Sequence, residues 1–249
     1  MTPDEHVAVL RAEGMRLAAM PPDALGAPVP TVPGWTLERV IRHTGKVHRW
    51  VTGVLAAGPG ATLAGSADAP PLPHGPGCLP AYRESLDALL AELSGSDVDR
   101  AAPTLTGPGT VRFWARRQAH EVTVHRVDAA DAVHAAGGRP PAPVDPRCAA
   151  DGVDEWARLM LPRAVPQIPN TLHGKSVHLH GTDTPDAELL LAFGADGVRV
   201  EAGHGRSTVA IRGTAEDLLL TMWRRRPLAA LEMVGDADVA RRMIDAARI

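Results

Sequence analysis

Arg112-Phe-Trp-Ala-Arg-Arg-Gln-Ala-His-Glu-Val-Thr-Val-His-Arg-Val-Asp128 reads as a helix without breakers. Glu121 and His125 stand at i and i+4, so they share a face one turn apart. A carboxylate and an imidazole so placed can grip one metal ion. The His-Glu-x-x-His pattern of zinc proteases fails by one residue, because His120 and His125 are five apart and point about 140° away from each other. The competing reading of the Glu121/His125 pair is a solvated ion pair, with Arg117 or the His125 imidazolium facing Glu121. A metal site needs a third ligand from elsewhere in the chain.

Working outward, the sequence predicts four helices before residue 138. Thr2-Pro3-Asp4-Glu5 is a capping box with proline at the first helical position, and its helix runs to about Met20. Thr36 caps a second helix over 37–57, with an apolar stripe of Leu37, Val40, Ile41, Val47, Val51 and Val54. His43 and His48 are its candidate ligands, five apart and so on different faces. A histidine beside a buried stripe is equally read as a hydrogen-bonded core residue. A third helix covers about 80–94, and the fourth covers 112–136 up to Gly137-Gly138. The Gly/Pro-rich stretches 58–79 and 101–110 read as loops, and the first is long enough to suggest a functional role.

Residues 138–147 have the composition of a linker between a helical domain, 1–137, and a second domain, 148–249. A helix over 147–161 opens the second part. Alternating runs follow at 176–180, 188–193, 197–201 and 207–212, with a hairpin-type turn at Ala195-Asp196-Gly197. Helices return at 214–224 and 236–247. The fold class is α+β, with an antiparallel sheet covered by helices. His178 and His180 alternate onto one strand face, where they read either as a polar surface or as metal ligands.

With 249 residues, 45% of them hydrophobic, the chain can bury a sizeable core. A net charge of −3 with interspersed signs gives no nucleic-acid surface. No apolar run is long enough for a membrane span, and the acidic N-terminus does not read as a signal peptide. Cys78 and Cys148 make no metal motif. The expectation is a cytoplasmic monomer.

Val32-Pro-Gly-Trp-Thr-Leu-Glu-Arg-Val-Ile-Arg-His43, Phe113 to Asp128 and Asp217-Leu-Leu-Leu-Thr-Met-Trp-Arg-Arg-Arg-Pro227 resemble, in order, the mycothiol-dependent maleylpyruvate isomerase family of actinobacteria. The resemblance implies a DinB-like four-helix N-terminal domain and a small C-terminal domain similar to sterol-carrier folds. It implies a divalent metal, zinc by family habit, on His43, Glu121 and His125, with His48 and His120 as reserves. It further implies mycothiol as cosubstrate. The thiolate would add to the double bond of maleylpyruvate, which would rotate and lose the thiol as fumarylpyruvate. Asp128 would orient a ligand or a neighbouring arginine. Trp114 and Arg117 are the expected contacts for the thiol. Arg225, with Arg224 and Arg226 beside it, is expected to hold the anionic end of the substrate, since a guanidinium fork matches a carboxylate. Two other functions stay open: a mycothiol S-transferase acting on an electrophile, and a non-enzymatic binder of a lipid or small anion.

Overall fold

The computed structural model describes residues 1–60, 63, 65, 68–165 and 168–247. Its chain divides into two compact units, Met1–Ala142 and Pro143–Ile249.

The first unit packs four helices. They are α1 (Pro3–Ala18), α2 (Leu37–Ala57), α3 (Cys78–Gly95) and α4 (Val111–Ala135). The caps set the starts. Thr2 and Glu5 form the expected capping box, with Pro3 in the first turn. The Thr36 hydroxyl accepts from Arg39 N–H at 3.3 Å, which starts α2 at Leu37. Each helix has two neighbours: α1 lies against α3 and α4, and α2 against α3 and α4. Leu10, Leu17, Val40, Ile41, Val51, Leu86, Leu89, Trp114 and Val122 fill the interior. A buried ion pair supplements this core, with Arg126 Nε donating to Glu13 Oε2 at 2.5 Å and so joining α4 to α1.

Residues 101–110 are not the loop that their Pro and Gly suggested. Strands β1 (Ala101–Thr104) and β2 (Gly107–Thr110) pair antiparallel, and Gly107 takes φ 108° at the turn. Glycine is the residue that tolerates that conformation. Of the expected 58–79 loop, residues 61, 62, 64, 66 and 67 lie outside the described residues. Its end is tied down. Leu72 is buried in the helical core, its carbonyl accepts from Arg42 Nε at 3.0 Å, and Arg49 Nη1 donates to Pro71 O at 3.2 Å.

The second unit begins with α5 (Pro146–Glu155), capped by the Asp145 side chain. It widens into a π turn over Trp156–Met160 and closes with the short α6 (Leu161–Ala164). Pro162 has no N–H for the carbonyl one turn back and its ring crowds that carbonyl, so the ladder loosens there. Five strands follow in the order β5-β4-β3-β6-β7. They are β3 (Ser176–Gly181), β4 (Glu188–Gly194), β5 (Gly197–Ala202), β6 (Val209–Gly213) and β7 (Glu232–Gly235).

Three of the four pairings are antiparallel. The sheet is nonetheless mixed, because β3 and β6 run parallel, with Val177 opposite Val209 and Leu179 opposite Ile211. Nothing in the alternation of a single strand encodes the direction of its neighbour. Val177, Leu179, Leu189, Leu191, Val209 and Ile211 form one buried face. Helices α7 (Ala215–Met222) and α8 (Ala237–Ala246) lie against β3 and β6. No helix among the described residues is long and apolar enough to cross a membrane.

Two glycines of α2 provide a test of the packing. A Cβ on Gly45 would meet Leu72 Cδ2 at 2.5 Å, whereas Gly53 has nothing within 4 Å. Gly53→Ala should therefore stabilise by about 0.5–1 kcal/mol, the usual gain in a helix. Gly45→Ala should lose that gain to overpacking and destabilise by about 1–3 kcal/mol. Urea unfolding of the two variants distinguishes these signs, and equal stabilisation by both would refute the close approach.

Candidate metal centre

On α4, residues 117, 121, 125 and 128 recur at helical spacing and form one stripe. Arg117 Nη2 donates to Glu121 Oε2 at 2.5 Å. The other carboxylate oxygen, Oε1, faces two imidazoles: His125 Nε2 at 3.3 Å from the same helix and His43 Nε2 at 3.3 Å from α2. His125 Nδ1 lies 3.0 Å from Asp128 Oδ2. An ionised carboxylate only accepts, so Nδ1 donates to Asp128, and Nε2, when protonated, points its own N–H at Glu121. The α2–α4 packing brings His43 to this stripe.

Trp35 completes the wall. Its ring stacks on His125 with centroids 5.9 Å apart and meets His43 edge-on at 5.0 Å. Backbone bonds from Val29 N to Trp35 O (2.9 Å) and from Trp35 N to Val32 O (3.1 Å) fix it just before the α2 cap. The Arg39 guanidinium lies over the Trp35 ring, 4.9 Å from its centroid. A tryptophan preceding a helix cap looks like an ordinary packing residue in sequence, so its role at these two histidines could not be read there.

The electrostatics follow from burial and charge. Burial pushes the Glu121 carboxyl up, but the His125 charge, hydrogen bonds from His125 and His43, and Arg117 together hold it well below the usual carboxylate range. Burial likewise disfavours the His125 imidazolium, yet Glu121 and Asp128 outweigh it and push His125 up to about 9. The side chains grade from closed to open, at 10% exposed for His125, 16% for Glu121 and 37% for His43. The site is therefore approached from the His43 side.

The three ligand atoms lie within 4.8 Å of one another. Each nitrogen–oxygen separation of 3.3 Å matches the edge of a tetrahedron with bonds of about 2.0–2.1 Å, which is about 3.3 Å. Two imidazoles and one carboxylate suit zinc and leave a fourth position open, as in catalytic rather than structural sites. The residues present thus fit a divalent ion.

The remaining sequence candidates sit elsewhere. His48 is fully buried, with Nδ1 2.9 Å from Gln118 Oε1, and burial pulls it down to about 4 despite that bond. His120 is also buried and meets the His6 ring edge-on at 5.8 Å. Neither reserve histidine joins the Glu121 cluster. Trp114, expected to contact the thiol, is fully buried between Trp50 and Phe113, and its indole N–H donates to Pro103 O at 2.9 Å. Arg117 is buried as well and acts through Glu121.

The three arginines lie in the second unit just past α7. Arg224 takes φ 62° and donates to Ile244 O at 3.1 Å. Arg225 Nη1 donates to Trp223 O at 2.7 Å, and Arg226 Nη1 to Arg225 O at 2.8 Å. Each has a local structural use at the helix end.

The sequence matches the model of the mycothiol maleylpyruvate isomerase N-terminal domain over residues 7–130 and that of the MDMPI C-terminal domain over 147–242. No curated protein matches it significantly. Among solved structures, the chain is similar to the mycothiol-dependent maleylpyruvate isomerase, with a TM-score of 0.56, 12% identity and 88% of each chain covered. A histidine-to-alanine mutant of the mycothiol-dependent maleylpyruvate isomerase gives 0.57, 10% and the same coverage. At such identity the structures show a shared fold, and the two domain models, in order along nearly the whole chain, show descent. The chain belongs to the mycothiol-dependent maleylpyruvate isomerase family.

Proposed function

We propose that the protein is a metal-activated, mycothiol-dependent enzyme that carries out a maleylpyruvate isomerase-type cis–trans isomerisation. The observation that carries this reading is the convergence of His43 Nε2 and His125 Nε2 on Glu121 Oε1, with the approach open beside His43. A divalent ion held by these three residues, zinc by their donor chemistry, would lower the pKa of an incoming thiol so that it reacts as thiolate near neutral pH. Asp128 keeps the proton on His125 Nδ1. Arg117 balances the Glu121 charge at the oxygen that the histidines do not face. Trp35 shields the His125 ring from water.

In the proposed reaction the thiolate sulfur forms a bond to one alkene carbon of the substrate, and the π electrons move into the conjugated carbonyl. The carbon–carbon bond, now single, rotates. The electrons return, the carbon–sulfur bond breaks, and the trans isomer leaves with the thiol regenerated. Arg225, or Arg224 or Arg226 beside it, is the proposed contact for the anionic end of the substrate, on the strength of guanidinium–carboxylate geometry.

His43→Ala, Glu121→Ala and His125→Ala should each lose bound metal and more than about a hundredfold in turnover, exceeding the loss usual for outer-sphere changes. His48→Ala and His120→Ala should keep the metal. Elemental analysis beside an assay with mycothiol and maleylpyruvate checks both. Retention of full metal by the first three would overturn the ligand set, and thiol retained in the product would make the enzyme a transferase.

Proton release provides a second test. With His125 at about 9, its imidazole is protonated near neutral pH, and an ion must displace that proton. Binding at about pH 7 should release about one proton. Apparent affinity should fall about tenfold per unit as pH drops below about 9, and level off above it. Calorimetry in buffers of different ionisation enthalpy measures the count, and a value near zero would contradict the assignment.

Arg225→Lys keeps the charge and loses the fork. If Arg225 is the contact, the KM for maleylpyruvate should rise about tenfold with the thermal midpoint nearly unchanged. Unchanged KM in all three Arg→Lys variants would remove this contact from the proposal.

A further inference from the structure

On the polar face of the C-terminal sheet, His180 of β3 stands directly opposite Glu188 of β4, and His178 lies two residues along on the same face. His204, just beyond β5, reaches the same carboxylate. Its neighbour Gly203 donates its N–H to Glu188 O at 2.9 Å. Three imidazole nitrogens thus surround one oxygen, Glu188 Oε1: His204 Nδ1 at 2.9 Å, His180 Nδ1 at 3.0 Å and His178 Nε2 at 3.2 Å. The four ligand atoms lie within 4.8 Å of one another.

Hydrogen bonding alone does not account for this convergence. A carboxylate oxygen has two lone pairs, and the bonds from His180 and His204 use both. His178 is only 3% exposed, and its Nε2, aimed at the same oxygen, makes no hydrogen bond. A buried nitrogen without a partner is costly. The nitrogen–oxygen separations of 2.9–3.2 Å are close to the edge of about 3.3 Å expected around a tetrahedral ion with bonds of about 2.0–2.1 Å. The adjacent cation, Arg212, is already paired with Glu232 through Nη1 at 3.0 Å.

We infer that His178, His180, Glu188 and His204 form a second metal site, for a divalent transition ion such as Zn2+, built within the C-terminal unit. Three imidazoles with one carboxylate select Zn2+, Ni2+ or Cu2+ over Mg2+ or Ca2+. Four protein donors fill a tetrahedron, which is the composition of a structural site rather than one that accepts substrate. An ion there cross-links β3, β4 and the segment that follows β5. His204 is 77% exposed, so the last ligand closes over the ion from the solvent side.

The test uses full-length protein without an affinity tag, stripped with chelator and titrated with Zn2+ by calorimetry. Wild type should bind two ions per chain, and His43→Ala and His204→Ala one each. The double variant should bind none. Because His204 is exposed, its removal leaves the fold intact. Glu188→Gln provides a second check and should weaken the same equivalent by at least about tenfold. Zn2+ should raise the thermal midpoint of His43→Ala but not of the double variant. The inference is overturned if His43→Ala binds no ion, or if His204→Ala and Glu188→Gln both match wild type in stoichiometry and affinity. A wild type that binds one ion, kept by His43→Ala and lost by His204→Ala, would support this second site and sink the ligand set proposed for the helical unit.

Discussion

The Glu121 carboxylate is a largely buried charge that must be compensated, and two helices of the first unit supply the partners. An uncompensated buried carboxylate would be protonated or would destabilise the fold by several kcal/mol, an order-of-magnitude cost. Here one oxygen faces Arg117 and the other faces His43 and His125. Arg117 and His125 come with the helix, at one turn on either side. His43 arrives only because α2 packs against α4. Tertiary packing and site chemistry are therefore one constraint: whatever shifts α2 along α4 also opens the site.

The compensation is asymmetric in a useful way. Arg117 is permanently charged and buried, so it fixes Glu121 as a carboxylate. His125 is held by Asp128 on its far nitrogen, which turns its near one to Glu121. The helical core around it is filled by Leu, Val and aromatic side chains.

Sequence reasoning was strongest where local chemistry dictates structure. Thr2 with Glu5 and Thr36 marked two helix starts because a side-chain oxygen must satisfy the first free N–H groups. It was weaker where partners are distant. Ala101–Thr104 and Gly107–Thr110 carry Pro and Gly and little β propensity, so their hairpin was invisible. The short β7 and the parallel β3–β6 pairing depend on how strands meet, which one strand does not record. Within the candidate site, spacing puts Glu121 and His125 on one helix face but leaves a simple ion pair as an equal reading. His43 came from family resemblance, since its neighbourhood on α2 resembles core. Trp35 and His204 were missed because each lies outside a helix or strand, where periodicity is silent.

The most direct measurement is anomalous scattering at the zinc edge from crystals of the zinc-loaded protein. The account predicts a peak in the helical unit about 2.0–2.2 Å from His43 Nε2, Glu121 Oε1 and His125 Nε2, with Arg117 still on the other Glu121 oxygen. Loaded crystals without density among these three atoms, with His125 still donating to Glu121, would contradict it.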